Sequence, residues 1–386
     1  MRVIYSLLIV VIQLAASANG AGAAVGASAY TGKDPIGGGP GYTSYVDPAK
    51  AARVVSDFAE LKAALAAAKA GDVVYVQDGA EIDATGERDL VIPGGVTLAG
   101  NRGKNGSPGP LIKATRLELP VTDGEKAALA AGSRGSQCWR FFEIGGPGAR
   151  VTGLRIQGPD TTIRKSAYVA PNCDGIACSY PDLEVDNCEM WGWTHAAIAL
   201  RHAGKGARIH HCYLHHCRRM GLGYGVCLGA SQALIECNRL AENRHDIAGT
   251  GRAGTSYLAR YNISEANDPP ISHAFDMHGN HESRRPDEVV PHFAGDSVVI
   301  CYNTFKSCLP RNGIRIRGEP RKGVTIHHNV YENAHIGASF AKPCRNAVIY
   351  ADVFTVKPKA SYYHFDDAGN NLSGKRMPAG DVTKLP

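Results

Sequence analysis

The sequence predicts an all-β parallel solenoid, and three observations support this prediction. A short pattern recurs, in which an apolar residue is followed a few positions later by Asn or Cys. A second short apolar pattern accompanies each copy in the same register. The spacing is nearly constant, because successive copies end 24, 26, 24, 41, 26 and 23 residues apart. Repeats of this length are typical of solenoids, in which each coil buries its apolar residues only by stacking on its neighbours.

The chain begins with a predicted secretory signal peptide over residues 1–20. Arg2 supplies a positive charge, an apolar run follows, and Ala16-Ser17-Ala18 forms a small-x-small cleavage site. This apolar run is too short to predict a membrane-spanning helix. We therefore expect a secreted or periplasmic protein. Residues 21–49 are interpreted as an N-terminal extension.

A helix and a strand are predicted to start the mature domain. The stretch from about 57 to 69 is rich in Ala, Leu and Lys, which favour a helix. Gly71-Asp72 is predicted to end this helix before the strand "VVYV".

Two columns of the repeat have different predicted roles. One column is apolar and is predicted to point into the core: Ile176, Ile198, Val226, Ile247, Phe275 and Ile314. The other column ends each pattern and fits a turn at which a side-chain amide bonds to the adjacent coil: Cys188, Cys212, Asn238, Asn262, Asn303, Asn329 and Asp352.

Seven coils of this kind, together with the segment "DFAELKAALAAAKAGDVVYVQDG", resemble the pectate-lyase-like superfamily. This resemblance implies a right-handed parallel β-helix with an N-terminal capping helix. We expect the β-helix domain to cover residues 50–356 and residues 357–386 to form an irregular tail. A fold of this kind hosts several chemistries, so function has to come from the site.

Composition narrows the classes of partner. The formal net charge is +6 and the isoelectric point is about 8.7, which on an exported protein favours an acidic polymer as partner. No block of consecutive Lys or Arg predicts a nucleic-acid arm, and no later apolar run predicts membrane contact. Eleven cysteines without paired CxxC blocks argue against a zinc ribbon. We expect a monomer.

Polar residues concentrate on one outward face of the predicted coils. Because alternate strand residues point outward, the residues around the apolar column form three ladders. They are Asp174, Ala196, Tyr224, His245, His273 and Asn312 at the bend; Ala177, Ala199, Cys227, Ala248, Asp276 and Arg315; and Ser179, Arg201, Gly229, Thr250, His278 and Arg317. The long step of 41 residues contains an insertion at 279–293, which carries His281, Arg284 and Arg285 towards the same face.

The resemblance implies that a sugar polymer lies along this outward face. Tyr, His and Arg with few carboxylates fit β-elimination on a uronic acid, because Arg neutralises the carboxylate and so acidifies the C5 proton. A neutral His or a Tyr then moves protons at C5 and at the leaving oxygen.

We predict Tyr224 and His245 as the acid/base pair, His273 as the alternative base and Arg315 as the neutralising group. Arg201, Arg244, Asp276, His278 and Arg317 are predicted to contact substrate. All are expected at the surface, so the two histidines should matter little to stability.

Other functions remain open at this stage. A C5-epimerase needs almost the same residues as a lyase. A polygalacturonase-like hydrolase is the next alternative, since "NCDGI" and "NGIRIRG" resemble motifs of that family and would make Asp174 an acid. However, "THAAIAL" stands where that family has a double Asp, so Asp174 lacks an evident carboxylate partner. A non-catalytic glycan-binding β-helix is the third alternative.

The sequence does not predict a resident metal or cofactor. His273, Asp276, His278 and His281 could supply ligands, but an extended strand would send His273 and Asp276 to opposite sides. Calcium is the alternative, although calcium sites prefer clustered carboxylates and this face offers mainly Asp276.

Overall fold

The computed structural model describes a defined set of residues. They are 24–115, 138–162, 172–202, 204–265, 273–279, 293–306, 313–332, 336–340, 344, 347–355, 360–364 and 383–384. The predicted signal peptide and the insertion residues His281, Arg284 and Arg285 lie outside them, as does Asn312. No helix in the described part of the chain is both long enough and apolar enough to span a membrane.

The chain folds as a parallel β-helix, as the repeat predicted. Each coil contributes one strand to each of three sheets, and the hydrogen-bonded neighbour of a strand is its equivalent in the next coil. The first sheet contains Leu90–Ile92, Cys138–Ile144, Asn172–Cys178, Ala196–Arg201, Tyr224–Gly229, His245–Gly249, Phe275–Met277, Ile314–Ile316, Ile336–Phe340 and Ala360–His364.

The other two sheets complete the coils. The second sheet contains Arg53–Val55, Val73–Val76, Thr97–Ala99, Arg150–Thr152, Glu184–Asp186, Ala207–His210, Gln232–Glu236, Ser256–Arg260, Ser297–Cys301, Gly323–His327, Ala347–Tyr350 and Thr383–Lys384. The third sheet contains Glu81–Asp83, Leu111–Lys113, Arg155–Gln157, Glu189–Trp191, Tyr213–His215, Arg239–Ala241, Ile263–Ser264, Thr304–Lys306, Val330–Glu332 and Val353–Phe354.

The predicted capping helix is confirmed and spans Phe58–Ala67. Its N-cap, Asp57, accepts a hydrogen bond from the Glu60 backbone, and the Glu60 carboxylate accepts one from the Ser56 backbone. Leu61 and Leu65 are buried against the first coil. The helix therefore covers the open end of the core. Short 3₁₀ turns also occur at Ala27–Ala29, Pro48–Lys50 and Lys104–Gly106.

The core lies inside the coil, as predicted. All six residues of the predicted apolar column are fully buried. Fully burying such a side chain contributes about 1.5–3 kcal/mol. Because each inward residue packs on its equivalents above and below, the coils stabilise one another in series.

A ladder of buried side chains marks the bend between the second and third sheets. The amides of Asn238, Asn262, Asn303 and Asn329 are fully buried. Each accepts a hydrogen bond from the backbone of the preceding coil, at 2.9 to 3.0 Å, and each Nδ2 donates to the next member. Asp352 ends this series and accepts from both the backbone and the amide of Asn329.

Two regions differ from the sequence prediction. The tail was predicted to be irregular, but Ala360–His364 adds a parallel strand to the first sheet and Thr383–Lys384 adds an antiparallel strand to the second. The repeat pattern missed this region, because a last coil has no successor to which an Asn ladder residue could bond. The described part of the N-terminal extension packs on the bend. The Tyr42 hydroxyl donates to Asp186 at 2.6 Å, and the Tyr30 hydroxyl lies 2.9 Å from His211 Nε2.

Candidate functional site

Strand register places the predicted ladders on one face of the first sheet. Asp174, Ala196, Tyr224 and His245 are successive partners in the ladder. The register Ile247 to Phe275 to Ile314 continues this column through His273 and sets Asp276 beside Arg315. The three predicted columns are therefore confirmed where the structure describes them.

The prediction that these side chains lie at the surface is wrong. His245 and Asp276 are fully buried, while Tyr224 and His273 are 6% and 8% exposed. The cause is ring stacking along the coil axis. The Tyr224 and His245 rings are nearly parallel with centroids 5.7 Å apart, and the His245 and His273 centroids are 4.3 Å apart. Each ring covers the next, so the histidines contribute to packing as well as to any chemistry.

The sequence analysis missed His195, which extends this stack. Its ring meets Tyr224 edge-on, with centroids 5.4 Å apart. His195 immediately precedes the strand Ala196–Arg201, and its position just before the bend column in "THAAIAL" was the available signal. We call the continuous row His195, Tyr224, His245 and His273 the ring ladder.

A buried carboxylate orients one end of the ring ladder. Asp174 is fully buried, and its Oδ1 lies 2.5 Å from His195 Nδ1. Arg201 donates to the other carboxylate oxygen. A neutral His195 that donates its Nδ1 proton to Asp174 carries its lone pair on Nε2. Asp174 and His195 thus form a carboxylate–imidazole pair of the kind that prepares an imidazole to accept a proton.

A second buried carboxylate, Asp276, organises the other end. Its oxygens lie 3.4 Å from His245 Nε2, 3.2 Å from His273 Nε2 and 2.7 Å from His278 Nε2. Arg317 also donates to both oxygens, at 3.0 and 2.7 Å. Asp276 therefore contacts two of the other predicted substrate contacts, His278 and Arg317.

Burial sets the charge states at this end. It lowers the pKa of His273 to about 4, with smaller contributions in the same direction from Arg317 and Arg315. It lowers the pKa of His245 well below its usual range. Burial alone would raise the pKa of Asp276, but His273, His278 and His245 hold that pKa well below its usual range. His245 and His273 are therefore neutral at neutral pH, and they lie beside an ionised Asp276 carboxylate that is paired with Arg317.

Tyr224 lies between the two carboxylate clusters. Its hydroxyl is 3.4 Å from the Gly221 carbonyl and 3.5 Å from Arg244 Nη1. Burial raises the pKa of Tyr224 despite the opposing charge of Arg244, so the phenol keeps its proton at neutral pH. The arrangement offers a proton donor flanked by imidazoles and guanidinium groups.

The two buried carboxylates do not form a hydrolase pair. Asp174 and Asp276 are four coils apart, roughly 19 Å at a strand spacing of about 4.8 Å. Inverting and retaining glycosidases need their carboxylates within about 10 Å of each other. The carboxylate pair required for the polygalacturonase-like alternative is therefore not provided by these two residues.

The donor set at Asp276 also fits a metal ion. The ligand atoms of His245, His273 and Asp276 all lie within 4.8 Å of one another. The sequence analysis argued against this arrangement only for an extended strand, and here His273 precedes the strand Phe275–Met277, so its Nε2 lies 3.2 Å from Asp276 Oδ1. A second group, at Glu184, Asp186 and His210, differs in kind. Asp186 there already accepts from Arg150, Tyr42 and Thr152, which indicates a structural role.

No family model matches the sequence, and no curated protein matches it. Among solved structures, an alginate lyase from Paenibacillus sp. str. FPU-7 is similar at 11% identity and a TM-score of 0.41, covering 82% of this chain and 98% of that chain. Tailspike protein 3 of bacteriophage CBA120 is similar at 12% identity and a TM-score of 0.39, covering 79% of this chain and 51% of that chain. This chain thus spans about half the length of the tailspike protein.

Proposed function

We propose that the protein is an exported enzyme that cleaves an anionic, uronic-acid polysaccharide by β-elimination. The observation that carries this proposal is the ring ladder, which presents His195 and Tyr224 side by side among Arg201, Arg244 and Arg317 on one face of the coil. Imidazole, phenol and guanidinium groups are the types that this reaction needs, and the hydrolase carboxylate pair is missing from Asp174 and Asp276.

The reaction breaks two bonds and makes one double bond. A base removes the proton from C5 of the uronate, the C4–O4 glycosidic bond breaks, and a C4–C5 double bond forms. The C5 proton is weakly acidic, so guanidinium groups must stabilise the negative charge that spreads onto the carboxylate. The leaving O4 has to gain a proton as the bond breaks.

His195 fits the base, and Tyr224 fits the acid. Asp174 holds His195 by Nδ1, so its Nε2 carries the lone pair, and 17% of the side chain is exposed. Tyr224 keeps its proton because burial raises its pKa. The two side chains are close enough to act on the same sugar unit, because their ring centroids are 5.4 Å apart.

His245, which the sequence predicted as half of the acid/base pair, fits a positioning role better. It is fully buried, its Nδ1–H donates to the His273 carbonyl at 2.7 Å, and its Nε2 faces Asp276 rather than solvent. Its ring supports Tyr224 from the side opposite His195. His273 fits the base less well than His195, because its Nε2 lies 3.2 Å from both Arg317 and Asp276 and is engaged by them.

The cations follow the coil axis and so match a polymer. The strand spacing of about 4.8 Å is close to one sugar unit, so successive coils serve successive sugars. Arg201 and Arg244 lie near the acid/base pair, while Arg315 and Arg317 lie further along the same face. We therefore propose an anionic polysaccharide as partner, and a monomeric protein without nucleic-acid or membrane contacts remains our prediction.

A panel of polymers tests this proposal. The purified protein should release products with the ultraviolet absorbance of a C4–C5 double bond from at least one polyuronate, such as alginate or pectate. It should be inactive on neutral polysaccharides, whose sugars lack the carboxylate that acidifies C5. Reducing ends without the double bond would indicate a hydrolase, and tight binding without any product would indicate a glycan-binding module. Either result would reject the proposal.

A further inference from the structure

We propose that His245, His273 and Asp276 form a binding site for a divalent transition metal of the zinc type. His245 begins the strand of one coil, and in the next coil His273 lies at the bend and Asp276 lies on the strand. This inference does not rest on the proposed reaction, because metal binding can be measured without any substrate.

The distances between the donor atoms suit a tetrahedral ion. A metal with ligand bonds of about 2.0–2.1 Å needs donor atoms about 3.3 Å apart along each tetrahedral edge. His245 Nε2 lies 3.4 Å from Asp276 Oδ2 and His273 Nε2 lies 3.2 Å from Asp276 Oδ1, and one ligand atom from each of the three residues lies within 4.8 Å of the others. Charge-assisted hydrogen bonds between nitrogen and oxygen are usually about 2.7–2.9 Å. Each nitrogen is therefore separated from one carboxylate oxygen by about one tetrahedral edge, which is longer than an ordinary charge-assisted hydrogen bond.

The protonation of His245 gives an independent reason. Its Nδ1–H donates to the His273 carbonyl, which leaves the lone pair of a neutral imidazole on Nε2. His245 is fully buried and its Nε2 makes no hydrogen bond. This lone pair faces the Asp276 carboxylate at 3.4 Å, so both groups can donate electron pairs to one cation.

Arg317 is the positive charge that the protein itself supplies. Its Nη2 atom lies 2.7 Å from Asp276 Oδ2 and 3.2 Å from His273 Nε2. Because a guanidinium only donates, His273 Nε2 also carries its lone pair towards the cluster. A bound metal would take over these contacts to the imidazole, and Arg317 would remain as a partner of the carboxylate.

The donor types determine which metal is expected. Two imidazoles with one carboxylate favour zinc, cobalt, nickel or copper, whereas calcium and magnesium prefer oxygen ligands. Three protein ligands leave a fourth position, which is the pattern of a site that also binds water or another ligand.

The test uses the full exported chain after treatment with a chelator. Titration with Co²⁺ should give the visible absorption of a tetrahedral, imidazole-ligated ion at one equivalent, and Zn²⁺ should displace it. Calorimetry should show saturable Zn²⁺ binding and no binding of Ca²⁺ at the same concentrations. Absence of saturable Zn²⁺ binding, or an octahedral Co²⁺ spectrum, would overturn the proposal.

Variants locate the site. His273→Asn should weaken Zn²⁺ binding by on the order of 100-fold or more, since changes to residues behind the ligands alone cost 10- to 100-fold. The matched control is His327→Asn on the second sheet, whose Nδ1 lies 2.9 Å from that of His328. If Zn²⁺ binding survives His273→Asn but is lost in His327→Asn, the metal binds at His327 and His328, and the proposed site is rejected. If His273→Asn does not fold, X-ray absorption of the wild-type zinc complex must show two imidazole ligands, and fewer would reject it.

Discussion

Tyr224 is a buried phenol that lies next to a guanidinium group. It is almost completely buried, yet its hydroxyl is 3.5 Å from a guanidinium nitrogen of Arg244. Its ring is held between His195 and His245. A phenol fixed in this way can transfer a proton without first reorganising its surroundings, which is the basis of efficient general acid catalysis.

Removal of the Tyr224 hydroxyl gives the prediction at the residue scale. Tyr224→Phe should lower kcat by about 10²- to 10⁴-fold, as expected for the loss of a general acid, with a smaller change in KM. Stability should change little, because Phe keeps the ring stack. The measurement is the rate of double-bond formation on the best polyuronate.

Tyr302→Phe is the matched control, because Tyr302 stacks on Tyr261 and His328 at the bend after the second sheet, away from the first sheet. Its activity should equal that of the wild-type protein. Equal activity of Tyr224→Phe and Tyr302→Phe would remove Tyr224 from the mechanism.

The sequence could predict columns of residues but not their burial. Register follows from the repeat, so Tyr224, His245 and His273 could be placed on one face without a structure. Whether rings on successive coils stand apart or stack on each other depends on side-chain rotamers that the repeat does not encode. His195 was missed because it lies one residue before the strand, where alternation gives no direction.

At the scale of single elements, the Asn ladder fixes the bend between the second and third sheets. The residue before each ladder position adopts a left-handed conformation, for example Tyr261 at φ 56° and His328 at φ 54°. Such a conformation costs a non-glycine residue roughly 1–3 kcal/mol. The buried amide hydrogen bonds of the ladder offset this cost, and together they hold each bend in the same shape.

Asn303→Ala should therefore destabilise the protein strongly. The substitution leaves the Asn262 backbone N–H and the Ala259 carbonyl without their buried partner. Each unsatisfied buried group costs about 1–3 kcal/mol, so the free energy of unfolding should fall by about 2–5 kcal/mol. Urea denaturation monitored by circular dichroism measures this change.

Asp352→Asn provides the comparison for this variant. At the end of the ladder Asp352 Oδ1 accepts from the backbone and the amide of Asn329, and its Oδ2 accepts from the Tyr331 hydroxyl at 3.5 Å. An amide oxygen preserves the contacts with Asn329. Its effect should be less than half of that of Asn303→Ala. Equal effects of the two substitutions would show that the ladder is not the source of the bend stability.

The repeat also explains which elements the sequence could predict. Coils between residues 172 and 355 carry the ladder pattern and were predicted, whereas the strand Ala360–His364 lacks it and was assigned to an irregular tail. The packing of Tyr30 and Tyr42 on the bend was also not predictable, because no periodicity links the N-terminal extension to the coils it covers.

At the scale of the whole molecule, paired histidines make the solenoid sensitive to acid. His215–His216 and His327–His328 bring their Nδ1 atoms to 2.7 and 2.9 Å, which requires at least one neutral ring in each pair. Burial, together with the neighbouring histidine, lowers the pKa of His216 and of His327 to about 4. The ordinary value in an unfolded chain is about 6.5.

The direction of the pH effect follows from these values. Between about pH 6.5 and pH 4 the unfolded chain binds protons that the folded chain excludes, so the free energy of unfolding falls as the pH drops through this window. Above pH 6.5 these histidines are mostly neutral in both the folded and the unfolded chain, so they should have little effect on the free energy of unfolding. Thermal unfolding at a series of pH values measures the effect, and His327→Asn should reduce its slope. A melting temperature that stays constant between pH 7 and pH 4.5 would contradict this account.

The most direct test of the central claim follows the substrate atoms themselves. Incubation of a polyuronate with the protein in deuterated water, followed by nuclear magnetic resonance of the products, distinguishes the alternatives. We predict new chain ends with a C4–C5 double bond, formed at a rate that Tyr224→Phe lowers by about 100-fold or more and Tyr302→Phe leaves unchanged. Deuterium at C5 without chain cleavage would indicate an epimerase, and new reducing ends without a double bond would indicate a hydrolase. Either outcome would contradict β-elimination at the ring ladder.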